Sequence, residues 1–294
     1  MDNSSDSTTL IESVTALEKF MPEMLPLYSH ICRLVRADQE ASRFLTGFRP
    51  PPYNSACSQA VSTLNDVQLV RNYDYHPQRF EGVLLYSKWN GKGVIANTDC
   101  LIGVLDGINE SGLAVSLTFG GRRAVGYGFG IPFILRYILE FCDTVKEGVE
   151  VLKKIPSHMS YNVTLADKTR TFQTVEISPD RNAIITDSAF TTNHQGPIEW
   201  AENAGFNETA QRASYLENVL YRGIGGLSFT NCFLHPPLYN RQYNKGLGTL
   251  YTASYFPESG KMEMHWPGYS IQQSFKSFTQ KEIIINYNNG KIVN

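Results

Sequence analysis

Four short β-rich runs follow one another between residues 67 and 119, with turn residues between them: VQLVRNYDY (67–75), VLLYSKW (83–89), GVIANTD (93–99) and LAVSLTF (113–119). Strands joined this closely pair antiparallel, because a parallel crossover takes a dozen or more residues. In LIGVLDGINESGL, an Asn-Glu-Ser-Gly turn between two apolar runs predicts a hairpin, with Asn109 and Gly112 as turn residues. Two helices come next. One is opened by Pro132 and runs to about Phe141; the other is capped by Asp143 or Thr144 and ends near Ile155-Pro156. YNVTLAD, TFQTVEIS and AFTTN return to strand, 207–222 reads as a helix, and TLYTASYFP, KMEMHWP and KEIIINY are strands again. Strands, a helical pair, then strands, with no βαβ alternation and no internal repeat, predict an α+β fold of large antiparallel sheets covered by helices.

Ahead of these strands the chain has another character. Apolar residues recur at helical spacing from Leu10 to Val35, with Pro22 and Pro26 placed to break or kink the helix. FRPPPYNSA follows, a stiff extended linker in which Pro50, Pro51 and Pro52 forbid helix. The opening MDNSSDSTT reads as disordered and lacks the basic start and apolar run of a secretory signal. No stretch approaches the ~20 apolar residues of a membrane span. The net charge of −2 comes without a basic block, so nucleic acid is not an expected partner, nor is a membrane. Five cysteines, Cys32, Cys57, Cys100, Cys142 and Cys232, are widely spaced with no CxxC pair, which argues against a disulfide framework and against a zinc site. The expectation is a cytoplasmic protein with free thiols and no bound metal. GGRRAVGYGFG (120–130) lacks the phosphate-binding glycine spacings and reads as a mobile loop near the pocket. Trp89, Trp200 and Trp266 read as core residues.

One of the thiols stands out. Cys57 begins CSQAV, and Arg71 and Asp74 lie three residues apart in LVRNYDY on the neighbouring run. A thiolate at neutral pH needs positive charge nearby, which Arg71 would supply. A carboxylate at the same end would hold an amine or a water in place.

Cys57, Arg71, Asp74, GINESGLAVS, YNVTLAD, TTNH and QRASYL, in that order, resemble the cysteine N-terminal-nucleophile (Ntn) hydrolases. The likeness is to the penicillin acyltransferase branch (acyl-CoA:6-aminopenicillanic acid acyltransferase) and, more distantly, to choloylglycine hydrolase and acid ceramidase. It implies a four-layer αββα sandwich of two antiparallel sheets between helices. It also implies a helical pro-segment or small chain over 1–56 and a catalytic domain over 57–294, released from each other by self-cleavage between Ala56 and Cys57. By the resemblance Cys57 is the nucleophile, Arg71 and Asp74 flank it, Asn193 is the oxyanion donor and Arg212 is a second active-site arginine. Thr118 stands where the choloylglycine branch has Asn, Ala56 where several relatives have Gly, and both count against bile-salt specificity. Asn162 shapes the pocket or serves structure.

An N-terminal cysteine carries its own base, since an α-amine titrates near ~7.7–8.0. The activity implied is acyl transfer or amide hydrolysis on a small N-acylated compound through an acyl-Cys57 thioester. Acyl-CoA is a candidate co-substrate, no other cofactor is expected, and partners beyond the small-molecule donor would be the two cleaved chains or a second copy. Hydrolysis and transfer both stay open, as does a catalytically silent binding protein on the same scaffold.

Overall fold

A computed structural model describes residues 8–287 and the backbone of 291–293. The expectation of disorder in MDNSSDSTT falls mostly on residues 1–7, outside the described residues. Helices α1 (Leu10–Phe20), α2 (Leu25–Leu34) and α3 (Gln39–Leu45) precede strands β1 (Ala56–Ser62) and β2 (Gln68–Tyr75). Then come β3 (Leu84–Ser87), β4 (Val94–Asp99), β5 (Gly103–Asn109) and β6 (Leu113–Phe119), followed by α4 (Ile131–Phe141) and α5 (Val145–Lys154). Strands β7 (Tyr161–Asp167), β8 (Phe172–Ser178), β9 (Arg181–Thr186) and β10 (Phe190–Thr191) lead to α6 (Ala201–Asn207), α7 (Thr209–Tyr221) and α8 (Gly226–Cys232). The chain closes with β11 (Arg241–Gln242), β12 (Leu247–Phe256), β13 (Lys261–Trp266), β14 (Tyr269–Ser274), β15 (Ile284–Asn286) and β16 (Lys291–Val293).

β3 to β9 form one antiparallel sheet in chain order, as the short connections dictate. The second sheet runs β10-β1-β2-β12-β13-β14, with β11 on β12, and all its pairs are antiparallel. The outer face of the first sheet packs Val115, Leu117 and Val163 against Ile134, Ile138 and Leu139 of α4 and Val149 of α5. The outer face of the second packs Ala60 and Val70 against Leu216, Val219 and Phe229 of α7 and α8. Between the sheets lie Cys57, Leu69, Tyr73, Ile95, Leu105, Tyr251 and Tyr255. The fold is therefore α+β, two antiparallel sheets between helix layers.

Local signals account for most boundaries. Pro22 ends α1, whereas Pro26 sits in the first turn of α2 and starts that helix instead of breaking it. Thr144 and Glu147 form a capping box on α5. The helix expected over 207–222 is α7, and α6, which ends at Asn207, precedes it unforeseen; Glu208 adopts the left-handed conformation (φ 53°) between the two. Of AFTTN only Phe190 and Thr191 are strand. The glycine-rich loop is tied down by bridges from Phe129 to Phe48 and from Val125 to Met159, and Arg122 pairs with Asp180 and Glu199. Trp266 is buried as expected, whereas Trp89 is 38% exposed beneath the Arg136 guanidinium.

Candidate active site

Pairing of β1 with β2 sets Ala56 opposite Asp74, Cys57 opposite Tyr73 and Gln59 opposite Arg71. Side chains alternate along a strand. Cys57, Gln59, Arg71 and Tyr73 therefore face the other sheet, while Ser58, Asn72 and Asp74 face the helices. Arg71 and Asp74 consequently make no ion pair with each other and act on opposite faces of β2.

On the inner face, Arg71 Nη2 donates to Cys57 Sγ at 3.2 Å. Its Nε donates to the Leu117 carbonyl at 2.8 Å, and its Nη1 engages the Asp106 carboxylate and the Tyr251 hydroxyl. Asp106 in turn accepts from Asn97, Tyr251 and Tyr255. Burial pulls the Arg71 guanidinium down, but Cys57 and Asp106 outweigh it and hold the group well above its ordinary value, so it stays charged. Burial pushes the Cys57 thiol up; Arg71 opposes this and Asp74 adds to it, and the thiol remains above its ordinary value.

On the outer face, two polar side chains hold the Cys57 backbone. Its N–H donates to Asn193 Oδ1 at 3.0 Å, and its carbonyl accepts from Arg212 Nη1 at 2.6 Å. Arg212 also donates to Ser58 Oγ (2.9 Å), to Asn193 Oδ1 (2.7 Å) and to the Asn207 carbonyl (2.8 Å). Asn193 Nδ2 donates to the Phe119 carbonyl at 3.1 Å. Two donors at one end of this amide and an acceptor at the other fix which atom is oxygen. Asp74 accepts from Thr249 Oγ1 at 2.6 Å and lies 4.0 Å from Arg212 Nη1. Burial raises the Asp74 carboxyl to about 6 against the pull of Arg212, Thr249 and Arg71. Arg212 is lowered by burial, which Asp74, Cys57 and Glu208 partly offset.

Thr118 and Asn162 are cross-strand neighbours on β6 and β7. Thr118 Oγ1 donates to the Thr192 carbonyl, and Asn162 Nδ2 donates to Thr118 Oγ1 and to the carbonyls of Thr192 and His194. Together they clip the segment that carries Asn193. Gly121 presses on the same segment: with φ +68°, a Cβ there would lie 2.2 Å from the Asn193 carbonyl oxygen. His194 bonds Thr209, and no histidine hydrogen-bonds Cys57 among the described residues.

Five residues singled out by sequence thus converge: Cys57, Arg71, Asp74, Asn193 and Arg212. Ala56 opens β1 beside Asp74, and Thr118 and Asn162 stand one layer behind. Asp106, Thr249 and Thr209 complete the network and were not foreseen. Asp106 left a trace, a lone carboxylate within the apolar run GVLDGI, where a charge implies a buried partner.

A family model described as acyl-coenzyme A:6-aminopenicillanic acid acyl-transferase matches residues 61–270. The match starts after Cys57, so the placement of Cys57 rests on the geometry above. Among solved structures, conjugated bile acid hydrolase from Clostridium perfringens is 15% identical over 81% of this chain and 95% of that one, with a TM-score of 0.50. Penicillin V acylase from Agrobacterium tumefaciens is 16% identical over 75% and 86%, with a TM-score of 0.48. The Caenorhabditis elegans ortholog of N-acylethanolamine-hydrolyzing acid amidase is 17% identical over 69% and 93%, with a TM-score of 0.49. At that identity the first of these shares the fold; no curated protein matches the chain.

Proposed function

The chain belongs to the acyl-coenzyme A:6-aminopenicillanic acid acyl-transferase family, and on that premise we infer that it is an amide-bond acyltransferase or hydrolase whose nucleophile is Cys57, freed by cleavage of the Ala56–Cys57 bond. The observation that carries this reading is the environment of the sulfur. Burial keeps the thiol protonated, Arg71 stands 3.2 Å away ready to stabilise a thiolate, and no histidine is in place to take the proton. The base that fits is the α-amine of Cys57 itself.

Maturation uses the same sulfur. Cys57 Sγ attacks the Ala56 carbonyl, the C–N bond breaks, and a thioester forms while the nitrogen of Cys57 becomes an amine. Water then hydrolyses the thioester, leaving a carboxylate on Ala56 and a free thiol on Cys57. In turnover the amine accepts the thiol proton and the thiolate adds to the substrate's amide carbonyl. The Asn193 amide has two N–H bonds, one of which engages Phe119; the second serves the tetrahedral oxyanion. Collapse transfers the proton to the leaving amine and forms acyl-Cys57. An amine or water then takes the acyl group, acyl-CoA being an alternative donor. Asp74, opposite Ala56, accepts hydrogen bonds from the new amine, and Arg212 and Asn193 hold the residue's backbone.

The direct test is mass spectrometry of protein quenched during turnover of an N-acyl amide. The expected result is the acyl mass on the Cys57 peptide, absent from Cys57→Ala. Undiminished turnover by Cys57→Ala would contradict the assignment. The complete burial of Cys57 in the continuous chain favours one second reading, a silent binding protein. An uncleaved chain that iodoacetamide leaves unlabelled at Cys57 would support it.

A further inference from the structure

A buried carboxylate stands behind the arginine that faces the sulfur. Asp106 on β5 and Arg71 on β2 are both fully buried, and Arg71 Nη1 engages one of the Asp106 oxygens. The same oxygen accepts from the Tyr251 hydroxyl at 2.6 Å. The other accepts from Asn97 Nδ2 at 2.7 Å and from the Tyr255 hydroxyl. Burial first, and Asp106 second, hold both phenols well above their ordinary range, so they stay protonated and donate. Four donors from β2, β4 and β12 therefore converge on one carboxylate. Each nitrogen of Arg71 is directed as a result: Nε meets the Leu117 carbonyl, Nη1 meets Asp106, and Nη2 is left for Cys57 Sγ at 3.2 Å.

The sum of charge on the inner face decides the state of the sulfur. With Cys57 a thiol, Arg71 and Asp106 cancel. Ionising the sulfur then leaves a net negative charge among fully buried groups, which is costly. Without Asp106 the same ionisation would neutralise an unpaired buried guanidinium, and the thiolate would be the favoured form. The other titratable groups that act on the sulfur leave this sum unchanged. Tyr73 on β2 and Tyr161 on β7 are phenols that burial keeps protonated. Asp74 on β2 and Arg212 on α7 oppose each other on the outer face.

We propose that Asp106 is a positioning residue for the reaction: it aims Arg71 at the sulfur and takes up its charge, so that Cys57 rests as a thiol and ionises only when a base removes the proton. The assignment rests on the reading of Cys57 as the nucleophile. It accounts for a sulfur that lies against an arginine and still depends on an amine for its activation. It also accounts for the carboxylate that interrupts the apolar run GVLDGI.

The test is a pH titration of ultraviolet thiolate absorbance on the full chain, each protein read against the same protein carrying Cys57→Ala. In Asp106→Asn the midpoint for Cys57 should fall by about one unit or more relative to wild type. Arg71→Gln should raise it. Adding Asp106→Asn to Arg71→Gln should bring it part of the way back, to a midpoint still above that of wild type. That order separates charge from loosened packing, which would lower the midpoint whenever Asp106 is replaced, with or without Arg71. If Asp106→Asn alone does not fold, the double variant, which leaves no unpaired buried charge, carries the test by comparison with Arg71→Gln. A midpoint unchanged or raised in Asp106→Asn, a double variant below wild type, or one no lower than Arg71→Gln would overturn the proposal. The titration needs no turnover, so the two readings fail separately: undiminished turnover by Cys57→Ala beside the expected order of midpoints would overturn the nucleophile and keep the charge assignment.

Discussion

Asn193 does two jobs in the site: its oxygen ties down the Cys57 N–H and Arg212, and its nitrogen faces outward from that knot. Asn193→Ala should lower turnover by about 10²–10³, read from kcat. Asp74 sets the pH response. Its carboxyl, raised to about 6, is ionised above that pH, so activity should climb as pH rises through 6, and Asp74→Asn should flatten this limb. Stability moves the other way. The folded state holds this proton more tightly than the unfolded chain between pH 4 and 6, so the group's contribution declines as pH rises through that window. The stability of wild type relative to Asp74→Asn should fall by up to about 3 kcal/mol between those limits, measured by denaturant titration. At this scale Arg71 and Asp74 were legible beside Cys57 because they sit on adjacent strands and their spacing is local, whereas Asn193 and Arg212, distant in the chain, came from the family resemblance. Asp106 and Thr249 escaped because pairing of β2 with β12 and docking of one sheet on the other join residues far apart in the chain.

Among the elements, the 191–194 segment is the one on which chemistry depends most, although only its first residue belongs to a strand. It is held by Thr118, Asn162, Thr209 and the close approach of Gly121. Gly121→Ala should displace Asn193, cutting kcat by more than tenfold, and should cost roughly 1–2 kcal/mol from the left-handed backbone alone. Thr144→Ala removes the α5 cap far from the site and should cost about 1 kcal/mol with kcat unchanged. Helices with explicit caps or a leading proline, α4 and α5, were legible in the sequence. β9 and β14 were not. Both are edge strands whose alternate residues are exposed, so they lack an apolar run. α3 and α8 are each seven residues long, too short for helical periodicity to show.

For the molecule as a whole, the segment ahead of Cys57 is part of the core. Ala16, Leu17, Met21, Met24 and Phe48 are buried in the same cluster as α4 and α5, and the Phe20 and Phe48 rings pack on Phe129. Cleavage at Ala56–Cys57 removes none of those contacts. The two chains should therefore co-purify under native conditions and separate only in denaturant, which gel filtration with and without urea will show. The αββα layering was readable from the strand order together with the family resemblance. The docking of 1–56 was not, because helical spacing shows which face is apolar and leaves open what covers it. The most direct measurement of the central claim is N-terminal sequencing of the chains in active protein, separated in denaturant, beside Cys57→Ala. The account predicts a chain beginning at Cys57 in the active protein and none in the variant. Full turnover by protein whose Ala56–Cys57 bond is intact would contradict it.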